Sequence, residues 1–61
     1  MQYVATIFLD MGSRSAAFST IQQAAEWLDA ENKNHEHTSM IETYDDNGRK
    51  KDGFFYTEKN K

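Results

Sequence analysis

The segments of this chain that alternate like strands carry apolar side chains on both faces, whereas only one segment has the spacing of a helix. Residues 1–9 and 39–57 alternate so that large apolar groups project to both sides. In the first segment Tyr3, Ile7 and Leu9 project one way, and Val4 and Phe8 the other. In the second segment one side carries Ile41, Phe54 and Tyr56, and the other carries Met40, Tyr44 and Phe55. Because a single helix covers one face of a sheet, the sequence predicts an uncovered aromatic face. Such faces usually mark interaction surfaces.

The length of 61 residues predicts a single domain over 1–58, followed by a disordered basic tail at 59–61. A domain of this size buries only roughly 60% of its unfolded surface, so its own stability is marginal. Small domains compensate with disulfides, a metal or oligomerisation. The absence of cysteine excludes disulfides and thiolate metal sites. We therefore expect a homo-oligomer, foremost a dimer.

The same absence of cysteine fits a reducing cytoplasm, which is the expected location. The start of the chain lacks the pattern of a signal peptide, and the longest apolar run, at residues 4–9, is too short to span a bilayer. The sequence therefore suggests no membrane role.

The clearest local signal is the start of a helix. Ser19 and Thr20 are each followed by a glutamine three residues later, which is the pattern of a capping box. An apolar stripe follows at i, i+3, i+4 and i+7, formed by Ile21, Ala24, Ala25 and Leu28. Trp27 lies at the edge of this stripe, where it would close the side of a core. A helix is expected over about residues 19–33.

The segment from Phe18 to Leu28, Phe-Ser-Thr-Ile-Gln-Gln-Ala-Ala-Glu-Trp-Leu, resembles helix starts in many small prokaryotic and phage α+β proteins. The pattern is generic and carries no residue-level function with it. The resemblance implies, by analogy alone, a modulator of another protein, because small acidic domains of this kind often act so.

Asn-Gly at positions 47–48 is the strongest turn signal, because these residues tolerate the positive φ angles of a type I′ hairpin. Centring the turn there places Ile41 opposite Phe54 and, nearer the turn, Tyr44 opposite Lys51. A slip of one residue would exchange the two faces of one strand.

A second glycine turn at Asp10–Ser13 precedes a short candidate strand at Arg14–Phe18. The resulting order is ββαββ, an α+β fold with a single helix packed on one face of a largely antiparallel four-stranded sheet. The alternative treats residues 12–17 as a loop and gives βαββ, a three-stranded sheet with a right-handed crossover.

The segment His35-Glu36-His37 is the most obvious metal candidate, because two imidazoles two residues apart share a face when the chain is extended. The sequence fixes no third ligand beside them, so we expect no metal and no cofactor. Nucleophilic catalysis needs a base held against the nucleophile by a third group, and no such arrangement is visible. We expect the chain not to be an enzyme.

Two glycine–arginine turns suggest an anion site. Gly12, Ser13 and Arg14 lie at the end of the Asp10–Ser13 turn, and Arg49 and Lys50 follow the Asn-Gly turn. Glycine turns can expose amide groups to an anion. If the two hairpin tips lie close together, these residues would hold a phosphorylated ligand or nucleotide between subunits.

Charge is unevenly distributed along the chain, whose net charge is −3. Residues 1–48 carry two basic and eight acidic side chains, and residues 49–61 carry five basic and two acidic ones. Aromatic residues near Lys50 and Lys51 could stack on single-stranded bases. Because phosphate attraction dominates such binding and the chain is acidic, nucleic acid is the less favoured partner.

These observations together predict a non-enzymatic protein-interaction module. We expect it to self-associate and to bind or inhibit another protein. Aromatic residues and methionine are favoured at interfaces, and the expected interface consists of Phe8, Met40, Tyr44 and Phe55.

Overall fold

The order of the elements confirms the expected ββαββ plan in a computed structural model that describes residues 1–58. The elements are β1 (Gln2–Leu9), β2 (Gly12–Phe18), α1 (Ile21–Glu31), β3 (Ser39–Tyr44) and β4 (Lys50–Thr57). The alternative with a loop over 12–17 is wrong, because this segment pairs with β1 along its whole length. The tail expected at 59–61 lies outside the described residues.

The four strands form one antiparallel sheet in the order β2-β1-β3-β4. β1 and β2 form a hairpin, and α1 carries the chain over to the far side of β1. β3 then runs antiparallel to β1, with Gln2 opposite Tyr44 and Ile7 opposite Ser39. The turn after β1 and the turn after β3 therefore lie at opposite ends of the sheet.

The core lies between α1 and the face of the sheet that carries the odd-numbered residues of β1. Its fully buried apolar members are Ala5, Ile7, Ala24, Leu28 and Ile41. Tyr3, Leu9, Phe18, Ala25 and Trp27 are partly buried around them. The ring centroids of Phe18 and Trp27 are 6.0 Å apart, so Trp27 closes one side of the core as expected. Ile21 departs from the expected stripe, because 46% of it is exposed in the first helical turn.

The helix begins after Thr20, whose side-chain oxygen accepts a hydrogen bond from the Gln23 amide at 3.1 Å. Of the two candidate caps in the sequence, the structure uses this one. The helix ends at Glu31, about two residues earlier than expected, because Asn32 leaves the helical conformation. The position of α1 over β1, β2 and β3 leaves β4 at the margin of the molecule.

The hairpin between β3 and β4 differs from the expected type I′ turn. Only Gly48 has a positive φ, of 81°, within its loop. The Gly48 amide donates to the Asp45 carbonyl at 3.0 Å, and the Asp45 amide donates to the Arg49 carbonyl at 2.9 Å. The side chain of Asp45 also accepts from the amides of Asn47 and Arg49, both at 2.9 Å. These bonds favour a three-residue loop with glycine in the left-handed conformation.

The wider loop changes the strand register near the turn, and a second irregularity lies at the far end of the pair, between Ser39 and Met40. Ile41 lies opposite Phe54, which confirms the expected pairing. Tyr44 lies opposite Lys50 instead of Lys51, and an irregularity follows Thr43. The faces of the paired strands are therefore as expected, although the pairing beside the loop is not.

Candidate functional site

The face of the sheet opposite α1 is the candidate site, and we call it the outer face. Its residues alternate along each strand with those that face the core. It is formed mainly by Val4, Thr6, Phe8, Ser13, Ser15, Ala17, Met40, Glu42, Tyr44, Gly53 and Phe55. The one helix among residues 1–58 packs on the other side, so it does not cover this face.

Two phenylalanine rings on the outer face are exposed to solvent. Phe8 is 42% exposed and Phe55 is 57% exposed, whereas Met40 and Tyr44 are half-buried. The strand pairing explains the exposure of Phe55, because β4 is an edge strand whereas Met40 and Tyr44 have neighbouring strands on both sides. Phe8 lies on inner strand β1, but its partner on β2 is Ser13, whose small side chain shelters it little. The structure thus places all four expected interface residues on the same face.

Three of these residues form a continuous surface, which we call the apolar patch: Phe8, Met40 and Phe55. Met40 lies directly opposite Phe55 on one side and opposite Thr6 on the other. Phe8 is two residues beyond Thr6 on β1, which makes it a diagonal neighbour of Met40. The patch therefore crosses the sheet from β1 to β4.

Tyr44 is separated from the apolar patch by an ion pair. Glu42 lies between Met40 and Tyr44 on β3, and its carboxylate oxygen is 3.1 Å from Lys50 Nζ. Gly53 gives the lysine side chain room, because a Cβ atom at this position would lie 3.2 Å from Lys50 Cε. Residue types at these positions could have suggested the pair, but only the altered register beside the loop shows which lysine makes it.

The residues of the expected anion site lie far apart. Arg14 is opposite Ile7, whereas Lys50 is opposite Tyr44, which in turn is opposite Gln2. The two positions differ by five residues along β1, or about 17 Å, and by three strand spacings, or about 14 Å, across the sheet. The hairpin tips do not meet, so the joint site is not assembled within one chain.

Two of these basic side chains are also already paired. The Arg14 guanidinium donates to Glu31 of α1 at 2.9 Å on the helix side of the sheet. Lys50 pairs with Glu42 on the outer face, as described above. Within one chain the sheet places Gly12, Ser13 and Arg14 at the opposite end and edge from Arg49 and Lys50, so the condition that the hairpin tips lie close together is not met there. A site that these residues share between subunits stays a prediction.

In the segment between α1 and β3, the backbone is not extended as the metal candidate His35-Glu36-His37 would require. His35 has a φ of 53°, so residues 35 and 37 do not share a face as they would on a strand. The side chain of Asn32, which is 3% exposed, donates to the His37 carbonyl at 2.8 Å and accepts from the His37 amide at 3.1 Å. Sequence reasoning missed this role, although Asn32 lies four residues after Leu28 and continues its buried stripe.

An open cleft of about 260 Å³ lies beside this segment. It is lined by Ala30, Glu31, Asn32, Lys33, Asn34, Glu36 and His37. Within residues 1–58, no three or more histidine and carboxylate side chains are grouped in a way that could hold a metal ion. The cleft is polar and open to solvent, and the geometry gives it no defined chemistry.

β4 is more exposed than the sequence pattern suggests. Phe54 and Tyr56 share the helix side with Ile41, yet they remain 41% and 36% exposed because α1 covers β1 to β3. The Tyr56 hydroxyl donates to Asp29 of α1 at 3.0 Å. Partial burial, followed by this hydrogen bond and the carboxylate charge, raises the pKa of Tyr56. β4 thus exposes aromatic rings on both faces of the sheet.

No protein-family model, curated protein or solved structure matches this chain. Across residues 1–58, no helix combines the length and the apolar character needed to cross a bilayer. The function is therefore inferred from the surface geometry described above.

Proposed function

We propose that this chain is a non-enzymatic protein-interaction module that binds through its outer face, with a second copy of itself as the first partner. The observation that carries the proposal is the apolar patch, in which Met40 joins the exposed rings of Phe8 and Phe55. Contiguous exposed apolar surface of this kind usually marks a site of association.

The energetic benefit of covering the patch is large for so small a domain. Each of the two phenylalanine rings exposes on the order of 100 Å², given the size of a phenylalanine side chain. At about 25 cal/mol per Å², burying one ring stabilises a complex by roughly 2.5 kcal/mol. A 61-residue domain has a small core, so association is a physically reasonable source of further stability.

The same face could also take another protein, in keeping with the proposed role as a binder or inhibitor. Its centre is apolar, and the Glu42–Lys50 ion pair provides a polar border. An apolar centre surrounded by a polar rim is a common arrangement at protein interfaces. The inhibitory role rests on the analogy with small prokaryotic and phage proteins, and the cytoplasmic location rests on the lack of cysteine.

Two other partners are less well supported. A phosphorylated ligand would have to compete with Glu31 for Arg14 and with Glu42 for Lys50. Single-stranded nucleic acid would meet a chain with a net charge of −3, which opposes phosphate binding. Binding of a ligand between two subunits remains an alternative only if such subunits bring the two turns together.

The substitution Phe8→Ser tests the proposed function. We expect the native chain to sediment as an oligomer and the variant to dissociate at least about tenfold more readily, because one apolar ring is lost from the interface. Met11→Ser is the matched control, since Met11 is 99% exposed in the turn after β1 and does not lie on the outer face. Circular dichroism of each variant reports whether the fold is kept.

The proposal is wrong if Phe8→Ser and Met11→Ser associate equally well while both stay folded. It is also wrong if the native chain sediments as a monomer throughout the micromolar to millimolar range and binds no partner through this face.

A further inference from the structure

β4 has an unpaired edge that combines exposed backbone with exposed aromatic rings. It is the last strand of the order β2-β1-β3-β4, so β3 pairs with only one of its edges. Phe54 and Tyr56 are exposed on the helix side and Phe55 on the outer face. Long apolar edges of this kind are ready to pair with another strand. The other edge, β2, is mostly glycine, serine and alanine, and its Phe18 packs on Trp27.

The hydrogen bonds identify which residues of β4 direct their backbone N–H and C=O groups to the free edge. The Gly53 amide donates to the carboxylate of its neighbour Asp52 at 2.8 Å and not to β3. In an antiparallel pair, successive residues direct their amide and carbonyl groups alternately to the two sides of the strand. The pairing of β3 with β4 is regular from Thr43 to Met40. The backbone N–H and C=O groups of Phe55, two residues after Gly53, therefore also point to the free edge.

We propose that β4 pairs with β4 of a second copy, antiparallel and about a two-fold axis that passes through Phe54. Gly53 of one copy then lies opposite Phe55 of the other, and each pair exchanges two N–H···O=C hydrogen bonds. Phe54 of one copy faces Phe54 of the other on the helix side. Two four-stranded sheets join into one sheet of eight strands.

Side-chain size favours this register. On the outer face the Phe55 ring of one copy lies opposite Gly53 of the other, where it meets no side chain of the glycine itself and packs on the Lys50 stem that already lies over this position. An aromatic ring across from a strand glycine is a stabilising pair. A two-fold axis through Phe55 would also satisfy the hydrogen bonds, but it would place Asp52 opposite Glu58, and like charges directly opposite destabilise a sheet.

The second copy is favoured as the occupant because it makes the apolar patch continuous. Phe55 lies on the edge strand, with Met40 of β3 directly opposite it, so the two patches come together across the shared edge. The rings of Phe54, Phe55 and Tyr56 together expose on the order of 250 Å² per chain, whereas a standard interface buries about 800 Å² per partner. Edge pairing alone therefore gives a weak, concentration-dependent dimer.

Charged substitutions at Phe54 test this pairing. Phe54→Lys and Phe54→Glu each place two like charges opposite each other at the axis, so we expect each variant to self-associate at least about tenfold less tightly than the native chain. An equimolar mixture should restore a one-to-one heterodimer, because lysine then faces glutamate. Because lysine and glutamate residues are nearly equal in mass, one variant is labelled with heavy nitrogen, and native mass spectrometry then distinguishes the heterodimer from both homodimers.

Two controls separate the edge from other surfaces. Ile21→Lys places the same charge on a half-exposed apolar residue of α1, away from β4, and should associate like the native chain. Met11→Ser changes an exposed residue of the turn after β1, away from both β4 and the outer face, and should also associate like the native chain. Thermal unfolding of every variant checks that the fold is retained.

The outcomes show whether the copies associate through the β4 edge or through the outer face. Edge pairing is overturned if folded Phe54→Lys and Phe54→Glu associate as the native chain does. The two-fold register is overturned if both weaken association but their mixture does not restore it. If only Phe8→Ser loses association, the copies bind through the outer face and edge pairing is rejected. If only the Phe54 variants lose association, the copies pair through the β4 edge and self-association through the outer face is rejected. A native chain that stays monomeric at millimolar concentration rejects self-association through both.

Discussion

Asn32 is the residue that fixes the connection between α1 and β3. Its amide donates to the Leu28 carbonyl at 2.8 Å, and its carbonyl accepts from the His35 amide at 2.9 Å. Its side chain makes two further hydrogen bonds to the backbone of His37. Because Asn32 is 3% exposed, water cannot readily replace these partners. A segment with few apolar residues is thereby held in place through one buried side chain.

Replacing Asn32 with alanine should lower the free energy of unfolding by about 2 kcal/mol. The substitution removes two side-chain hydrogen bonds and leaves the backbone groups of His37 without their partners. Urea denaturation of the native chain and the variant measures the change. The matched control is Asn34→Ala, an exposed asparagine in the same connection, for which a change within about 0.5 kcal/mol is expected. Equal losses in both variants would contradict the role assigned to Asn32.

At the scale of the element, the hairpin between β3 and β4 shows how local side chains determine the type of a turn. The sequence dipeptide Asn-Gly is compatible with a two-residue turn, but Asp45 accepts hydrogen bonds from two amides of its own loop. Those bonds stabilise a loop in which Gly48 alone is left-handed. The consequence reaches the site, because the shifted pairing beside the loop brings Lys50 next to Tyr44 and within reach of Glu42.

Gly48→Ala should destabilise the protein by about 1 kcal/mol. Gly48 has a φ of 81°, and open space surrounds the position that a Cβ atom would take, so the cost is one of backbone conformation alone. Gly48→Asn is the matched control, because asparagine tolerates the left-handed region and should cost less. Thermal unfolding of the two variants compares them. A larger loss in the asparagine variant would contradict the conformational explanation.

At the scale of the whole molecule, one helix is too small to cover a sheet of four strands. α1 packs on β1, β2 and β3, which leaves β4 with aromatic residues exposed on both sides and leaves the outer face without cover. The two exposed regions meet at Phe55, which belongs both to the apolar patch and to the free edge. Self-association and fold stability should therefore be thermodynamically linked.

This linkage predicts a melting temperature that depends on protein concentration. If folding and association are coupled, each tenfold increase in concentration should raise Tm by about 3–6 °C for a chain of this size. Differential scanning calorimetry over two decades of concentration measures the effect. A variant that combines Phe8→Ser with Phe54→Lys removes both proposed contacts and should melt at a temperature independent of concentration. A constant Tm for the native chain would argue against the linkage.

The sequence by itself determined the elements, the alternation of the strands and the presence of an uncovered apolar face. These properties follow from local periodicity and capping, as the Thr20 cap and the pairing of Ile41 with Phe54 show. The same period separates Phe8 from Ile7 on β1 and Met40 from Ile41 on β3, whereas the pairing of β1 with β3 puts Phe8 and Met40 on one face of the sheet. A period of two residues is sufficient to sort side chains onto the two sides of a strand.

Only the tertiary structure decided how those elements are arranged in space. The strand order puts the two turns at opposite ends of the sheet and so separates Arg14 from Lys50. The placement of α1 leaves Phe54 exposed, and the register beside the loop lets the Glu42–Lys50 pair interrupt the outer face. Strand order and helix placement depend on contacts between residues distant in sequence, and local side-chain periodicity carries no information about those contacts.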